Sequence, residues 1–292
     1  MGTYSVFWEG VYRFPQFERT TMSSTVIDCH GQVGSGETWA DSGVTRWVDY
    51  KVELLLQRAA EAGIDRTCIM VPQNATYADK NREIADLCAG HPDKLIGFAV
   101  HSPQRETGRL REMLLEEVRS MGLKGVKSDG HPTRELLDVV AELKIPVMYS
   151  PEDYDHWPGK GHHVGARYLA LNVIDAAEPP AAGYHMMVMA YPSVNFILPH
   201  LGSYRSDPWW AHIDAINLAK RYSNVYIETS GVLSHRYLVM AAQELPAEKL
   251  LFGSYSTELD PRVEIYAAKL LKLPGAKEAQ VLGGNTRRLF GV

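Results

Sequence analysis

Several residues that can move protons, hold cations or bind anions stand where short apolar runs end. Asp28, His30 and Gln32 follow Thr25-Val26-Ile27, and His101 follows Leu95–Val100. Lys127 and Asp129 come after Gly125-Val126, and Ser150, Glu152 and Asp153 after Val147-Met148-Tyr149. His200 ends Val194–Pro199, Glu228 and Thr229 end Val225-Tyr226-Ile227, and Ser254, Tyr255 and Ser256 follow Leu250–Gly253. An imidazole with an ordinary pKa of about 6.5 gives or takes a proton at neutral pH, which makes His30 and His200 candidate acid–base groups. Tyr255 is a candidate hydrogen-bond donor or acid, or a space-filler. Lys127 offers an ammonium for a substrate carboxylate or for Asp129. Gln32, His101, Ser150 and Glu228 are candidate substrate contacts. Each has a plainer role as well: Asp28 as a loop anchor, Glu228 as a salt-bridged interior residue, His162 and His163 as a solvated pair.

The elements that position these residues form a regular alternation. Eight strands are predicted at Ser24–Cys29, Arg66–Pro72, Leu95–Val100, Gly122–Lys127, Ile145–Ser150, Val194–Pro199, Asn224–Glu228 and Lys249–Gly253. They are continuously apolar, as strands covered on both faces of a parallel sheet must be. Helical patterns lie between them: Trp47–Ala62, Asp79–Ala89, Glu106–Ser120, Thr133–Leu143, Asp207–Arg221, Ser234–Glu244 and Pro261–Leu271. Gly63 and Gly122 stand where helices need a left-handed last residue, and Pro132 and Pro261 near first turns. Eight strands alternating with helices predict an α/β fold of the (β/α)8 TIM-barrel type over residues 23–292, preceded by an aromatic arm at residues 1–22. An open doubly wound sheet is the alternative, but no Gly-x-Gly-x-x-Gly turn follows the first strand. In a barrel, residues at the C-terminal strand ends share one mouth. The long connection Pro151–His163 would lie on that face, as a lid.

Composition narrows the function classes. The 292 residues carry 30 Lys and Arg against 35 Asp and Glu, a net charge of −5. This balance argues against nucleic-acid binding, which needs a basic surface. No run approaches a membrane span, and the first residues lack the basic flank and apolar core of a signal peptide. Three scattered cysteines, Cys29, Cys68 and Cys88, suit reduced thiols. A cytoplasmic protein with a small-molecule substrate is expected. Trp209-Trp210 and the aromatic arm suggest helix packing or a homodimer interface.

The sequence resembles the amidohydrolase superfamily, in its branch of small hydrolases and decarboxylases. The resemblance is carried by Val26-Ile27-Asp28-Cys29-His30-Gly31-Gln32, His91–Phe98, Gly122–Lys127, Ile145-Pro146-Val147, Pro192–Gly202, Asn224–Gly231, Leu250–Ser254 and Leu282–Leu289, in family order. It implies an amidohydrolase-like barrel and places His200 where related enzymes act on the substrate. It also implies a metal site of two first-strand histidines, a fifth-strand histidine and an eighth-strand aspartate. Here only His30 keeps its place; Gln32, Ser150 and Tyr255 stand at the other positions. Those neutral groups do not replace imidazoles and a carboxylate around catalytic zinc. Without metal-bound water, hydrolysis of ordinary amides is disfavoured.

The resulting expectation is an enzyme without a metal cofactor, working by acid–base chemistry on a small polar substrate, carboxylated ones included. Hydrolysis of an activated bond such as a lactone, and lyase, dehydratase or cyclisation chemistry, all remain open. The alternative is an inactive barrel that binds a ligand or stabilises a partner. Zinc would enter only through a rebuilt site of His30, His200 and a carboxylate, Glu228 or Asp129.

Overall fold

The apolar runs become the staves of a barrel. The computed structural model describes residues 25–39, 45–149, 184–204 and 210–292. The first half runs β1 (Ile27–Gln32), β2 (Gly34–Trp39), β3 (Thr45–Tyr50), α1 (Val52–Ala62), β4 (Arg66–Met70), α2 (Ala78–Gly90), β5 (Leu95–Gly97), β6 (Ala99–His101), α3 (Leu110–Arg119), β7 (Val126–Ser128), α4 (Arg134–Leu143) and β8 (Val147–Tyr149). After it come α5 (Tyr184–Ala190), β9 (Phe196–Leu198), α6 (Trp210–Arg221), β10 (Val225–Glu228), α7 (His235–Glu244), β11 (Leu250–Leu251) and α8 (Pro261–Lys269). Two short helices, α9 (Gly275–Ala279) and α10 (Asn285–Phe290), end the chain.

Parallel pairing joins β1, β4 and β5 in one sheet and β6 through β11, in chain order, in another. β5 and β6 are a single stave broken at Phe98, whose N–H donates to Ile69 O at 3.0 Å. Across the other seam Cys29 N donates to Phe252 O at 3.0 Å, and Gly31 bridges Ser256 in parallel. Eight stave positions thus close into the expected (β/α)8 ring. Apolar side chains along the staves, among them Ile27, Ile69, Phe98, Phe196, Ile227 and Phe252, are fully buried, so the hydrophobic effect drives the closure.

Local signals act where the sequence places them. Gly63 ends α1 at φ 73°, a conformation that a Cβ would strain. Asp260 accepts from Arg262 N at 3.0 Å, so Pro261 starts α8 without losing a needed N–H.

One element differs from expectation. Trp47–Tyr50 is not the first turn of a helix but part of β3, which pairs antiparallel with β2. Lys51 is extended and lets α1 begin only at Val52. The hairpin is fastened to the barrel by Glu37 and Gln73, whose backbones exchange bonds of 2.7 and 3.1 Å. That long-range pairing overrides the local helical period. The aromatic arm, the Pro151–His163 loop with His162 and His163, Ser150 and Trp209 lie outside the described residues. No helix among the described residues is long and apolar enough to cross a membrane.

Candidate active site at the mouth of the barrel

Two strand ends on opposite sides of the β11 stave deliver the central pair. His30, on β1, and Glu228, the last residue of β10, are both fully buried, and His30 Nδ1 lies 3.2 Å from Glu228 Oε2. The same oxygen accepts from His200 N at 3.0 Å and from Ser230 Oγ at 2.9 Å, while Oε1 accepts from Ser230 N at 2.5 Å. Four donors around one carboxylate favour its charged form. Burial alone would raise the Glu228 pKa; the hydrogen bonds from His30 and His200, and the positive charge those rings gain in acid, outweigh it and hold the group at about 2.

His200 follows β9 in a tight turn. It sits at φ 57°, ψ 31°, and Leu201 next to it at φ 51°, ψ 35°. Tyr255, just past β11, is also left-handed at φ 51°. Each such conformation costs a non-glycine residue about 1–3 kcal/mol and concentrates at functional sites. The strained residues meet. The His30 and His200 rings are 5.1 Å apart, and Tyr255 lies 4.8 Å from His30 and 4.7 Å from His200. Tyr204 closes the group, 4.9 Å from His200 and 5.4 Å from Tyr255. Gln32 Nε2 donates to Tyr255 Oη at 3.2 Å, and Gln32 Oε1 is buried without a hydrogen-bond partner.

The hydrogen bonds also fix which nitrogen each imidazole presents. Nδ1 of His200 faces the Ser230 carbonyl at 3.1 Å, an acceptor only, so Nδ1 carries the proton. Nδ1 of His30 likewise donates to Glu228. Nε2 is the nitrogen each ring keeps for the mouth, and in His30 it is buried with no partner. Burial lowers both imidazoles: His30 falls below its ordinary value despite Glu228, and His200 falls to about 3. Two neutral rings therefore present lone pairs beside a charged carboxylate.

The remaining expected residues divide. Lys127, on β7, is half-buried with its Nζ 5.9 Å from the Tyr255 ring centre. Among the described residues it has no carboxylate partner. Asp129 is instead taken by Gln73 at 2.9 Å, by Tyr77 at 2.5 Å and by Arg105. His101 is turned away from the mouth. Its Nδ1 meets Glu106 at 2.9 Å and its Nε2 meets Glu117 at 2.7 Å, leaving no ring nitrogen for a substrate. Asp28 acts as an anchor between first and last staves: it accepts from His30 N at 3.0 Å, Ser254 N at 2.9 Å and Ser254 Oγ at 2.5 Å. Burial pushes its pKa up to about 7 against the Ser254 bond. Ser230 and Tyr204 were not singled out from the sequence. Ser230 lies two residues beyond Glu228, the only signal available; Tyr204, four beyond His200, carries none.

A divalent cation is a natural complement to this arrangement. His30, His200 and Glu228 each offer a ligand atom, all within 4.8 Å of one another. Neutral imidazole and carboxylate are ligand types that zinc and manganese accept, and three protein donors leave a position open for another ligand. The orphaned Nε2 of His30 is a buried nitrogen left without a partner, as a metal-binding imidazole requires. The residues present fit the group.

A ring of parallel staves with polar groups gathered at their C-terminal ends is a TIM barrel with its site in the usual place. The chain belongs to the amidohydrolase family, whose model matches residues 27–292. No curated protein sequence matches it. Among solved structures it is similar to 5-carboxyvanillate decarboxylase from Sphingomonas paucimobilis, at TM-score 0.66 and 15% identity, over 92% of this chain and 100% of that one. It is also similar to 2,6-dihydroxybenzoate decarboxylase from Rhizobium, at TM-score 0.65 and 18% identity, over 92% and 99%. A dihydroxybenzoic acid decarboxylase from Polaromonas, with bound manganese and the inhibitor 2-nitroresorcinol, matches at TM-score 0.65 and 17% identity, over 92% and 97%. These findings correct the expectation of no metal cofactor. A similar barrel holds manganese, and this chain keeps a three-donor group at its mouth. Gln32, Ser150 and Tyr255 do stand at the replaced positions, but the donors that converge are those of the rebuilt site offered as zinc's only route, His30, His200 and Glu228, and not Asp129.

Proposed function

We propose that this chain is a divalent-metal-dependent enzyme of the lyase type, acting by proton transfer on a small carboxylated substrate, with decarboxylation as the leading reaction. The observation that supports it most is the pair of buried, neutral imidazoles sharing the charged Glu228 at the barrel mouth. His30, His200 and Glu228 would hold the cation, which supplies positive charge to stabilise negative charge developing on the substrate.

The protein's own groups have distinct tasks. Lys127, with no carboxylate partner among the described residues, takes the substrate carboxylate. Tyr255, steered by Gln32, faces both imidazoles and is placed to donate a hydrogen bond or proton to the substrate. Ser230 and Glu228 orient His200 and His30. Ser150 enters this reading only by its place in the sequence, directly after Tyr149. Lyase chemistry is preferred to hydrolysis because Tyr255 stands where a carboxylate would take a proton from attacking water.

The test is a panel of small aromatic and aliphatic carboxylates labelled at the carboxyl carbon, followed by NMR on protein loaded with manganese or zinc. Labelled carbon dioxide released by the loaded protein, and lost on His200→Asn, supports the reading. Metal-loaded protein that releases none from any member refutes it; binding without turnover would instead favour a ligand-binding barrel.

A further inference from the structure

The opposite end of the barrel carries a second cavity, formed where α1 passes the beginnings of β4 and β5. It has a volume of about 210 Å³. Leu56, Ala59, Ala60 and Ile64 supply apolar walls, and Arg66 and Lys94 stand beside them. Arg66 is the first residue of β4 and Lys94 immediately precedes β5, so both lie at N-terminal strand ends, away from the mouth.

The cations are short of partners. A guanidinium has five N–H donors. That of Arg66 makes one long contact, from Nη2 to Pro92 O at 3.4 Å, and its Nε is buried with none. Neither Arg66 nor Lys94 forms an ion pair among the described residues. The carboxylate that also lines the cavity, Asp65, is already engaged: its Oδ2 accepts from Val26 N at 2.9 Å, and it has a further contact. The half-buried guanidinium of Arg66 beside an apolar hollow, with the exposed ammonium of Lys94 also lining it, calls for an anion with an apolar body.

We propose that this cavity binds a small apolar monocarboxylate, with Arg66 and Lys94 receiving the carboxylate and the α1 face enclosing a single ring or short chain. A planar carboxylate suits a guanidinium fork. The volume lies below the roughly 300 Å³ at which drug-sized pockets begin, which limits the ligand to a few carbons beyond its head group. This site shares no residue with the mouth and is independent of the chemistry proposed there.

Isothermal titration of the full chain with hexanoate tests it, with hexanol and inorganic phosphate as comparisons. Saturable hexanoate binding is expected, weakened about 10- to 100-fold by Arg66→Met, which removes charge-assisted hydrogen bonds. Hexanol and phosphate, each lacking half of the ligand, should bind at least about 10-fold more weakly. Ala60→Leu, at an exposed position on the rim, and Lys94→Gln, on the surface, should fold normally and also weaken binding. Lys127→Met should not. The proposal is overturned by absence of saturable hexanoate binding, by binding indifferent to Ala60→Leu and Lys94→Gln, by equal binding of hexanol or phosphate, or by loss with Lys127→Met, which would place hexanoate at the mouth.

Discussion

Replacing Glu228 with Gln keeps the shape of the buried side chain and removes its charge, so the consequences can be worked from the four hydrogen bonds. Oε2 has three donors, His30 Nδ1, His200 N and Ser230 Oγ, and Oε1 has one, Ser230 N. The amide oxygen would take the Oε2 place, leaving its NH2 facing the Ser230 N–H, two donors in contact. A buried unsatisfied donor costs about 1–3 kcal/mol, and breaking a buried charged set about 3–5 kcal/mol. Linkage gives a similar figure. A carboxyl moved from 4.5 to about 2 contributes about 3 kcal/mol of stability at neutral pH. Because the folded pKa is depressed, that stability is present above the ordinary value of 4.5 and is lost as pH falls from there towards 2. Urea denaturation should therefore find Glu228→Gln about 3–5 kcal/mol less stable at neutral pH, with the gap about 1 kcal/mol narrower near pH 4. Metal affinity should fall at least about 10-fold, as for loss of a ligand or its direct support. A variant within about 1 kcal/mol of the parent at neutral pH, or a gap that does not narrow in acid, would refute the assignment of Glu228 as the charged hub.

Lys127→Met should lower kcat/KM for carboxylated substrates about 10- to 100-fold, the worth of a charge-assisted hydrogen bond, with the fold intact by circular dichroism. His101 should give the opposite pH signature to Glu228. Burial opposes its charge, but Glu106 and Glu117 outweigh burial and push its pKa up to about 9 from 6.5. Its contribution, about 3 kcal/mol, is complete below about pH 6.5 and lost as pH rises through about 9; His101→Gln should abolish that alkaline decline in urea titrations. Gly253→Ala should lower the melting temperature, because the added Cβ would fall 2.1 Å from Glu228 Oε1. A clash of this kind costs about 1–3 kcal/mol.

Much of the fold was legible because burial on both faces leaves a direct trace: all eight continuous apolar runs became staves. The β2–β3 hairpin was not, since Trp47–Tyr50 pairs with Gly34–Glu37, ten to sixteen positions earlier, and is fastened by Gln73, contacts no local period encodes. At the site, His30, His200, Tyr255 and Gln32 could be gathered from strand-end positions alone, and the structure does bring them together. His101 shows the limit of that logic. It also ends a strand, but two glutamates on the α3 side, Glu106 and Glu117, turn its ring away from the mouth. The set His30, His200 and Glu228 was legible as a possible rebuilt metal site, but the family positions gave it too little weight. Matching positions counted substitutions one by one, whereas coordination depends on which donors converge, and Glu228 reaches His30 across 198 residues of sequence.

The most direct test of the account is titration of the purified, metal-stripped chain with manganese and with zinc near pH 8, where the imidazoles are neutral, in parallel with His30→Ala and His200→Ala. One equivalent should bind to the parent protein, with at least about a 10- to 100-fold loss of affinity in either variant. Absence of saturable binding, or affinity unchanged by both substitutions, would contradict the claim that these two histidines and Glu228 form the working centre of the barrel.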